Sequence, residues 1–152
     1  MTEEETNMAI VRRFYEELWN RGNYDVADEI FDEHFKGHAP GNTGARGPKG
    51  VKKFVAAWRK QVPDLRVEID GQFAEGSKVA TRFRCTGTHT RHLFGIRPTG
   101  NPLAMGGFAI TRIENGKVVS DWGEFDIIGL LQQLGVVPRP HERPGESSGD
   151  GR

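Results

Sequence analysis

The period of the apolar residues changes once along this chain, at Pro63. Before it, apolar side chains recur every three or four positions; after it, they alternate. Met8, Val11, Tyr15 and Leu18 form one helical stripe, widened by Phe14 and Trp19. Thr2 and Glu5 match a capping box and Gly22 is a stop, so the pattern predicts a helix over 3–21. Asp25 is placed to cap a second helix over 26–35, with Val26, Ile30, Phe31 and Phe35 on its apolar side. A third helix is predicted from near Pro48 to about Gln61, with Val51, Phe54, Val55 and Trp58 inward. Beyond Pro63, Leu65, Val67 and Ile69 alternate with Arg66, Glu68 and Asp70, the mark of a half-buried strand. A turn around Glu75-Gly76 separates it from a long strand over Val79–His89, and further strands are predicted at Leu103–Ile113 and Lys117–Asp126. Ile127, Leu130, Leu131 and Leu134 then read as a short helix closed by Gly135. Helices followed by a run of strands imply an α+β fold: a curved antiparallel sheet with three N-terminal helices packed on one face and a short C-terminal helix.

Length and charge narrow the class. The 152 residues fit one domain, read here as 1–137, followed by a polar tail over 138–152 predicted to be disordered. The 21 Lys+Arg balance 21 Asp+Glu, which argues against a general nucleic-acid binder. The acidic start MTEEETNMAI is unlike a signal peptide, and no apolar run approaches the ~20 residues of a membrane span. A cytoplasmic protein is therefore expected. One cysteine, Cys85, excludes an intramolecular disulfide, and His34 and His38 lack the Glu of a HExxH metal site. No dinucleotide or phosphate-loop signature is present, which argues against those two cofactor-binding readings. Gly is abundant, with 20 residues against a usual ~7% of a chain. Five lie in the loop 37–50, while Gly87, Gly106, Gly107 and Gly123 fall inside strands, as bending around a ligand space requires.

The Asn115-Gly116 pair predicts a type I′ hairpin and lets the last two strands be put in register. With Glu114 facing Lys117, unbroken pairing sets Ile113 against Val118, Thr111 against Ser120, Ala109 against Trp122, Gly107 against Glu124 and Met105 against Asp126. Trp122, Glu124 and Asp126 then share a face, with room left opposite by Gly107 and Ala109. A carboxylate among such side chains has its proton affinity raised and can act as a base near neutral pH. The competing reading has Glu124 and Asp126 in water, with Asp126 capping the helix that starts at Ile127. His38 and His89 stand beside Gly-rich loops and are candidates for the pocket mouth.

The stretches VRRFYEELWNRGNYDVADEIFDEHFKGHAP, VKKFVAAWRKQVPDLRVEI, GTHTRHLFGIRPTGNPL and ENGKVVSDWGEFDIIGLLQQLG together resemble the SnoaL-like polyketide (ester) cyclase family, within the nuclear-transport-factor-2-like superfamily. The resemblance spans about residues 7–137. It implies a cone with an internal pocket, a homo-oligomer (dimer or tetramer) built by sheet-face contacts, and a small hydrophobic or aromatic substrate. It further implies intramolecular aldol closure of a polyketide ring by acid/base catalysis, without metal or cofactor. Trp122 and Asp126 match a W-x-x-x-D pattern, which makes Asp126 the expected acid/base and His38 and His89 its expected pocket partners. Trp122, Glu124, Met105, Gly107, Phe83 and Tyr15 are the expected substrate contacts. Related chemistry stays open on the same residues: hydrolysis, dehydration, isomerisation or cofactor-free hydroxylation. So do a non-catalytic ligand-binding module and a protein-interaction domain; Trp19 and several strand-face apolar residues are available for an oligomer interface.

Overall fold

The computed structural model describes residues 1–40 and 44–141. The chain begins with helix α1, Glu3–Arg13, which continues as a π-helical segment over Phe14–Asn20. The capping box forms: Glu5 N donates to Thr2 Oγ1 at 3.1 Å and Thr2 N donates to Glu5 Oε2 at 3.3 Å. Glu3, Glu4 and Glu5 then face the positive end of the helix, and Arg12 and Arg13 stand in its last turn. The far end is clipped to the sheet. Asn20 Nδ2 donates to Val67 O at 2.9 Å, and Val67 N donates to Asn20 Oδ1 at 2.7 Å. Arg59 caps the same end by donating to the carbonyls of Trp19 and Asn20.

The second helix is shorter than its apolar spacing implied. Helix α2 spans Asp25–Ile30, and Phe31–His38 forms strand β1. Phe31 and Phe35 are buried as expected, but on a strand that pairs in parallel with the last strand of the sheet. Two aromatics four residues apart satisfy a helix face and an irregular edge strand equally, and long-range pairing decides between them. Helix α3, Gly47–Gln61, follows with Pro48 in its first turn. Strands β2 (Arg66–Glu75), β3 (Lys78–Thr88), β4 (Pro102–Glu114) and β5 (Lys117–Phe125) and helix α4 (Ile127–Gln133) complete the order. The expected disordered tail lies outside the described residues from 142 onward, as do positions 41–43 of the Gly-rich loop.

The five strands form one sheet in the order β1-β5-β4-β3-β2. Only β1 is parallel to its neighbour. Val11, Tyr15, Leu18, Val26, Val51 and Val55 from the helices meet Val67, Val79, Phe83, Ala109, Ile113 and Val118 from the sheet in the main core. Each such side chain gains about 1.5–3 kcal/mol from full burial. A second cluster of Val62, Leu93, Leu103, Leu130 and Leu134 seals one end beneath α4.

The hairpin forms with positive φ at both Asn115 (52°) and Gly116 (74°), and Glu114 pairs with Lys117. Pairing stays as expected only to Ile113–Val118. A bulge at Val119 then places Ser120 opposite Arg112, Asp121 opposite Thr111, Trp122 opposite Ile110, Gly123 opposite Ala109, Glu124 opposite Phe108 and Phe125 opposite Gly107. One extra residue inverts every later side chain, because strand side chains alternate with period 2. The predicted pairs Ala109–Trp122, Gly107–Glu124 and Met105–Asp126 are therefore replaced, and Asp121, Gly123 and Phe125 turn inward.

Candidate active site

The inner face of the sheet, the π-helical segment and α3 enclose a cavity. Phe14, Tyr15, Trp19, Phe54, Trp58 and Phe83 form its aromatic wall, and Met105, Ala109, Leu93 and Leu130 fill in the remainder. It offers about 90 Å³ to the centre of a water-sized sphere. That is room for several waters, and so more than a packing defect. The ring planes interlock: Tyr15 lies 5.4 Å from Phe83, which lies 5.9 Å from Phe125, and Trp19 meets Phe54 edge-on at 6.0 Å.

Among the described lining residues one carboxylate faces this apolar space: Asp121 on β5. The bulge places it opposite Thr111, whose Oγ1 donates to Asp121 Oδ1 at 2.6 Å. Burial away from water pushes the Asp121 carboxyl up to about 6, and the Thr111 hydrogen bond holds it back from rising further. Tyr15 stands near it, and Cys85 lines the same cavity. Burial raises the Tyr15 phenol well above its usual range, with the nearby charge of Asp121 adding to the effect. Burial likewise pushes the Cys85 thiol up to about 12. Both remain neutral at physiological pH. The site thus holds one titratable carboxylate and two neutral polar groups, in surroundings that strengthen any charge interaction.

The structure divides the sequence-predicted residues. Phe83, Met105 and Tyr15 line the cavity. Trp122 and Glu124 do not: they point to the outer face of the sheet, where Trp122 is 58% exposed. Asp126 also lies outside the cavity, at the N-cap of α4, where its Oδ1 accepts from Gly129 N at 2.9 Å. Gly107 is buried, yet the space of its absent side chain is already taken. A Cβ there would lie 2.6 Å from Phe83 Cζ and 2.8 Å from Glu124 O, so this glycine admits Phe83 rather than a ligand. His38 pairs with Trp122 across β1 and β5 and stacks on its ring at 3.6 Å, on the outer face. His89 is fully buried but faces the loop that follows it, not the cavity. Thr99 N donates to its Nδ1 at 3.3 Å, which leaves Nε2–H to donate to Ile96 O at 3.3 Å. His89 thereby folds the loop 89–101 back on itself, and Leu93 of that loop reaches the cavity wall.

Comparison with known proteins places this geometry. The profile of the SnoaL-like polyketide cyclases matches residues 9–134. The chain belongs to that family. Its fold is shared with solved structures. A protein from Jannaschia assigned as a SnoaL-like polyketide cyclase superposes with a TM-score of 0.81 at 22% identity, over 91% of this chain and 97% of that one. One from Acidithiobacillus ferrooxidans, assigned as a polyketide cyclase, gives 0.77 at 28% identity over 88% and 97%. IdmH from Streptomyces antibioticus, assigned likewise, gives 0.78 at 27% over 86% and 99%. No curated protein matches the sequence.

In this SnoaL-like chain the inward carboxylate was hidden by the bulge. Asp121 and Thr111 both fall on inward positions only once one residue is skipped on β5. A weak signal was present: an unbroken register turns Trp122 inward and exposes its neighbour Asp121, and a single Gly123 beside them marks a strand that is not regular. Among the described residues no group of three or more His, Cys, Asp or Glu is arranged to hold a metal ion. No described helix is long and apolar enough to cross a membrane.

Proposed function

We propose that this SnoaL-like protein is an acid/base enzyme that closes a ring in a small hydrophobic polyketide-type substrate, with Asp121 as the catalytic acid and base. The observation that carries this reading is one carboxylate among the described lining residues of an aromatic cavity, with its proton affinity raised to about 6. Such a group is charged at neutral pH yet basic enough to take a proton from carbon.

The steps balance without a co-reactant. Asp121 removes a proton from a carbon flanked by two carbonyls. The resulting enolate carbon attacks a ketone of the same molecule, forming a C–C bond as the ketone π pair moves onto oxygen. Asp121 then returns its proton to that alkoxide, and the product has the mass of the substrate. Tyr15, held protonated, offers its O–H to the developing oxyanion. The aromatic wall folds the chain so that the reacting carbons meet, which is where an intramolecular geometry gains most. Asp126 contributes by capping α4, whose Leu130 closes the cavity.

The test is turnover of an aromatic polyketide ester bearing an activated methylene and a ketone in reach, read as an isomer of unchanged mass. Asp121→Asn is expected to lower kcat/KM by ~10²–10⁴, with Asp126→Asn close to wild type. Wild-type kcat/KM should rise through a midpoint near pH 6, as Asp121 ionises. Wild-type turnover by Asp121→Asn would rule Asp121 out.

The outer face of the sheet supports a second copy as partner. Trp122, Ile110, Ala80 and Phe73 are consecutive cross-strand neighbours on β5, β4, β3 and β2. Trp122, Ile110 and Phe73, together with nearby Phe108, are at least half exposed. A contiguous apolar row of this kind is characteristic of an interface.

A further inference from the structure

We propose that Thr111 is a positioning residue for Asp121: its hydroxyl engages Oδ1, so that Oδ2 alone is presented to the substrate as the base. This inference rests on the acid/base reading of Asp121 and assigns the group that orients it.

Three observations support it. First, the two residues are direct partners on β4 and β5, in the stretch of register that the bulge creates. Their side chains meet from opposed backbones and not from a flexible loop. Second, the hydrogen bond is short, 2.6 Å from Thr111 Oγ1 to Asp121 Oδ1, as expected when a hydroxyl donates to a carboxylate. Thr111 is 2% exposed, so water does not compete for that oxygen through the hydroxyl side. A β-branched side chain is also stiff at χ1, which fixes where its hydroxyl points. Third, the other oxygen lies beside a residue without a side chain. Gly123 is the next inward residue on β5, and a Cβ there would lie 3.3 Å from the Phe125 ring and 4.0 Å from Asp121 Oδ2. A side chain at that position would press on the Phe125 ring and crowd the oxygen that has to meet the substrate.

The arrangement also sets the state in which Asp121 begins the reaction. Burial favours the neutral acid, whereas a donated O–H favours the anion. The other groups around Asp121 do not decide the balance. β1 presents Gly37 as its partner, the π-helical segment presents Tyr15, and β3 presents Val79 across from Thr111. Tyr15 and Cys85 are neutral across the relevant range, and no Lys, Arg or His is among the described lining residues. Thr111 is therefore the one neighbour that pulls Asp121 toward its charged, proton-accepting form. Without it, a larger share of the carboxyl would be protonated at neutral pH and unable to act as the base.

The experiment needs no substrate for its first reading. Protein labelled with ¹³C at the aspartate carboxyl is titrated by NMR, and the Asp121 signal is assigned by its loss in Asp121→Asn. In Thr111→Val, nearly the same shape without the hydroxyl, the Asp121 midpoint is expected to rise by roughly one pH unit. Thr111→Ser, which keeps the donor, should hold the midpoint within a few tenths. Where turnover is measurable, the acidic limb of kcat/KM against pH should move upward by the same interval in the valine variant and return in the serine variant. A merely structural role for Thr111 would lower activity without moving either midpoint. An Asp121 midpoint unchanged or lowered in a folded Thr111→Val protein overturns the proposal. Should the valine variant fail to fold, the wild-type Thr111 hydroxyl proton is observed directly: it should exchange slowly above the Asp121 midpoint and rapidly below it, and its absence throughout overturns the proposal equally. The two readings fail separately. Full turnover by Asp121→Asn sinks the acid/base reading whatever the titration shows. A flat Thr111→Val titration with an inactive Asp121→Asn sinks only the role of Thr111.

Discussion

Replacing Asp121 by Asn should make this protein more stable while making it inactive. In the folded state the Asp121 carboxyl is pushed from its usual 3.8 to about 6, chiefly by desolvation. Between those two values the folded chain holds a proton that the unfolded chain has released. Stability therefore falls as pH rises through this window, since the folded state binds more protons than the unfolded state. The displacement is about two pH units, and at 1.36 kcal/mol per unit the ionised side chain costs the fold roughly 3 kcal/mol above pH 6. Asn has nearly the same shape, carries no charge at any pH and can still accept from Thr111, though more weakly. Asp121→Asn should then match wild type near pH 4 and exceed it by roughly 2–3 kcal/mol at pH 7.5. For a domain of this size that is roughly 5–10 °C in Tm. The assay is urea unfolding of both proteins at half-unit steps from pH 4 to 8, with equal m values as the check on two-state behaviour. A stability difference that stays constant across this range would refute the reasoning. So would an Asn variant less stable than wild type at pH 7.5. The expected result is the ordinary trade between a charged group kept ready for chemistry and the stability of the cavity that holds it.

Two further outcomes follow from the outer parts of the molecule. Asp126→Ala removes the acceptor for Gly129 N and should lower stability by about 1 kcal/mol, with Asp126→Ser recovering most of it; equal stability of all three in urea unfolding would show that the cap contributes nothing. Ile110→Glu, at the centre of the exposed apolar row, should shift sedimentation from dimer to monomer while leaving circular dichroism unchanged; a wild-type chain that sediments as a monomer at tens of micromolar would remove the interface.

The fold was largely legible because its signals are local. The capping box at Thr2 and Glu5, the stop at Gly22, the Pro48 start of α3 and the Asn115-Gly116 hairpin each rest on a few adjacent residues, and each forms. Legibility ended where two local readings were equally good. Phe31 and Phe35 fit a helix face as well as the edge strand they occupy. The helix over 3–21 carries its stripe correctly, but its passage into π geometry at Phe14 leaves no mark in the apolar spacing. For the site, Phe83, Met105 and Tyr15 were legible as inward apolar or aromatic positions. His89 drew attention for good reason, since it is buried and fully bonded, but its partners Thr99 and Ile96 make it the anchor of a loop.

What the sequence determined by itself is the class of fold and the character of the cavity. The change of period at Pro63, the helix stripes and the strand alternation leave little choice but helices packed on one face of a curved sheet, with an aromatic interior. What only the tertiary structure decided is which carboxylate belongs to that interior. Asp121, Glu124 and Asp126 lie within six residues of one another, and alternation assigns them to faces only if the strand is unbroken. One bulged residue, Val119, reverses the assignment: it turns Trp122 outward to His38 and brings Asp121 inward to Thr111. A bulge is chosen by how two strands fit together with the layer above them, and not by the residues of either strand alone. The candidate chemistry of this protein therefore depends on a pairing that no single segment of its sequence specifies.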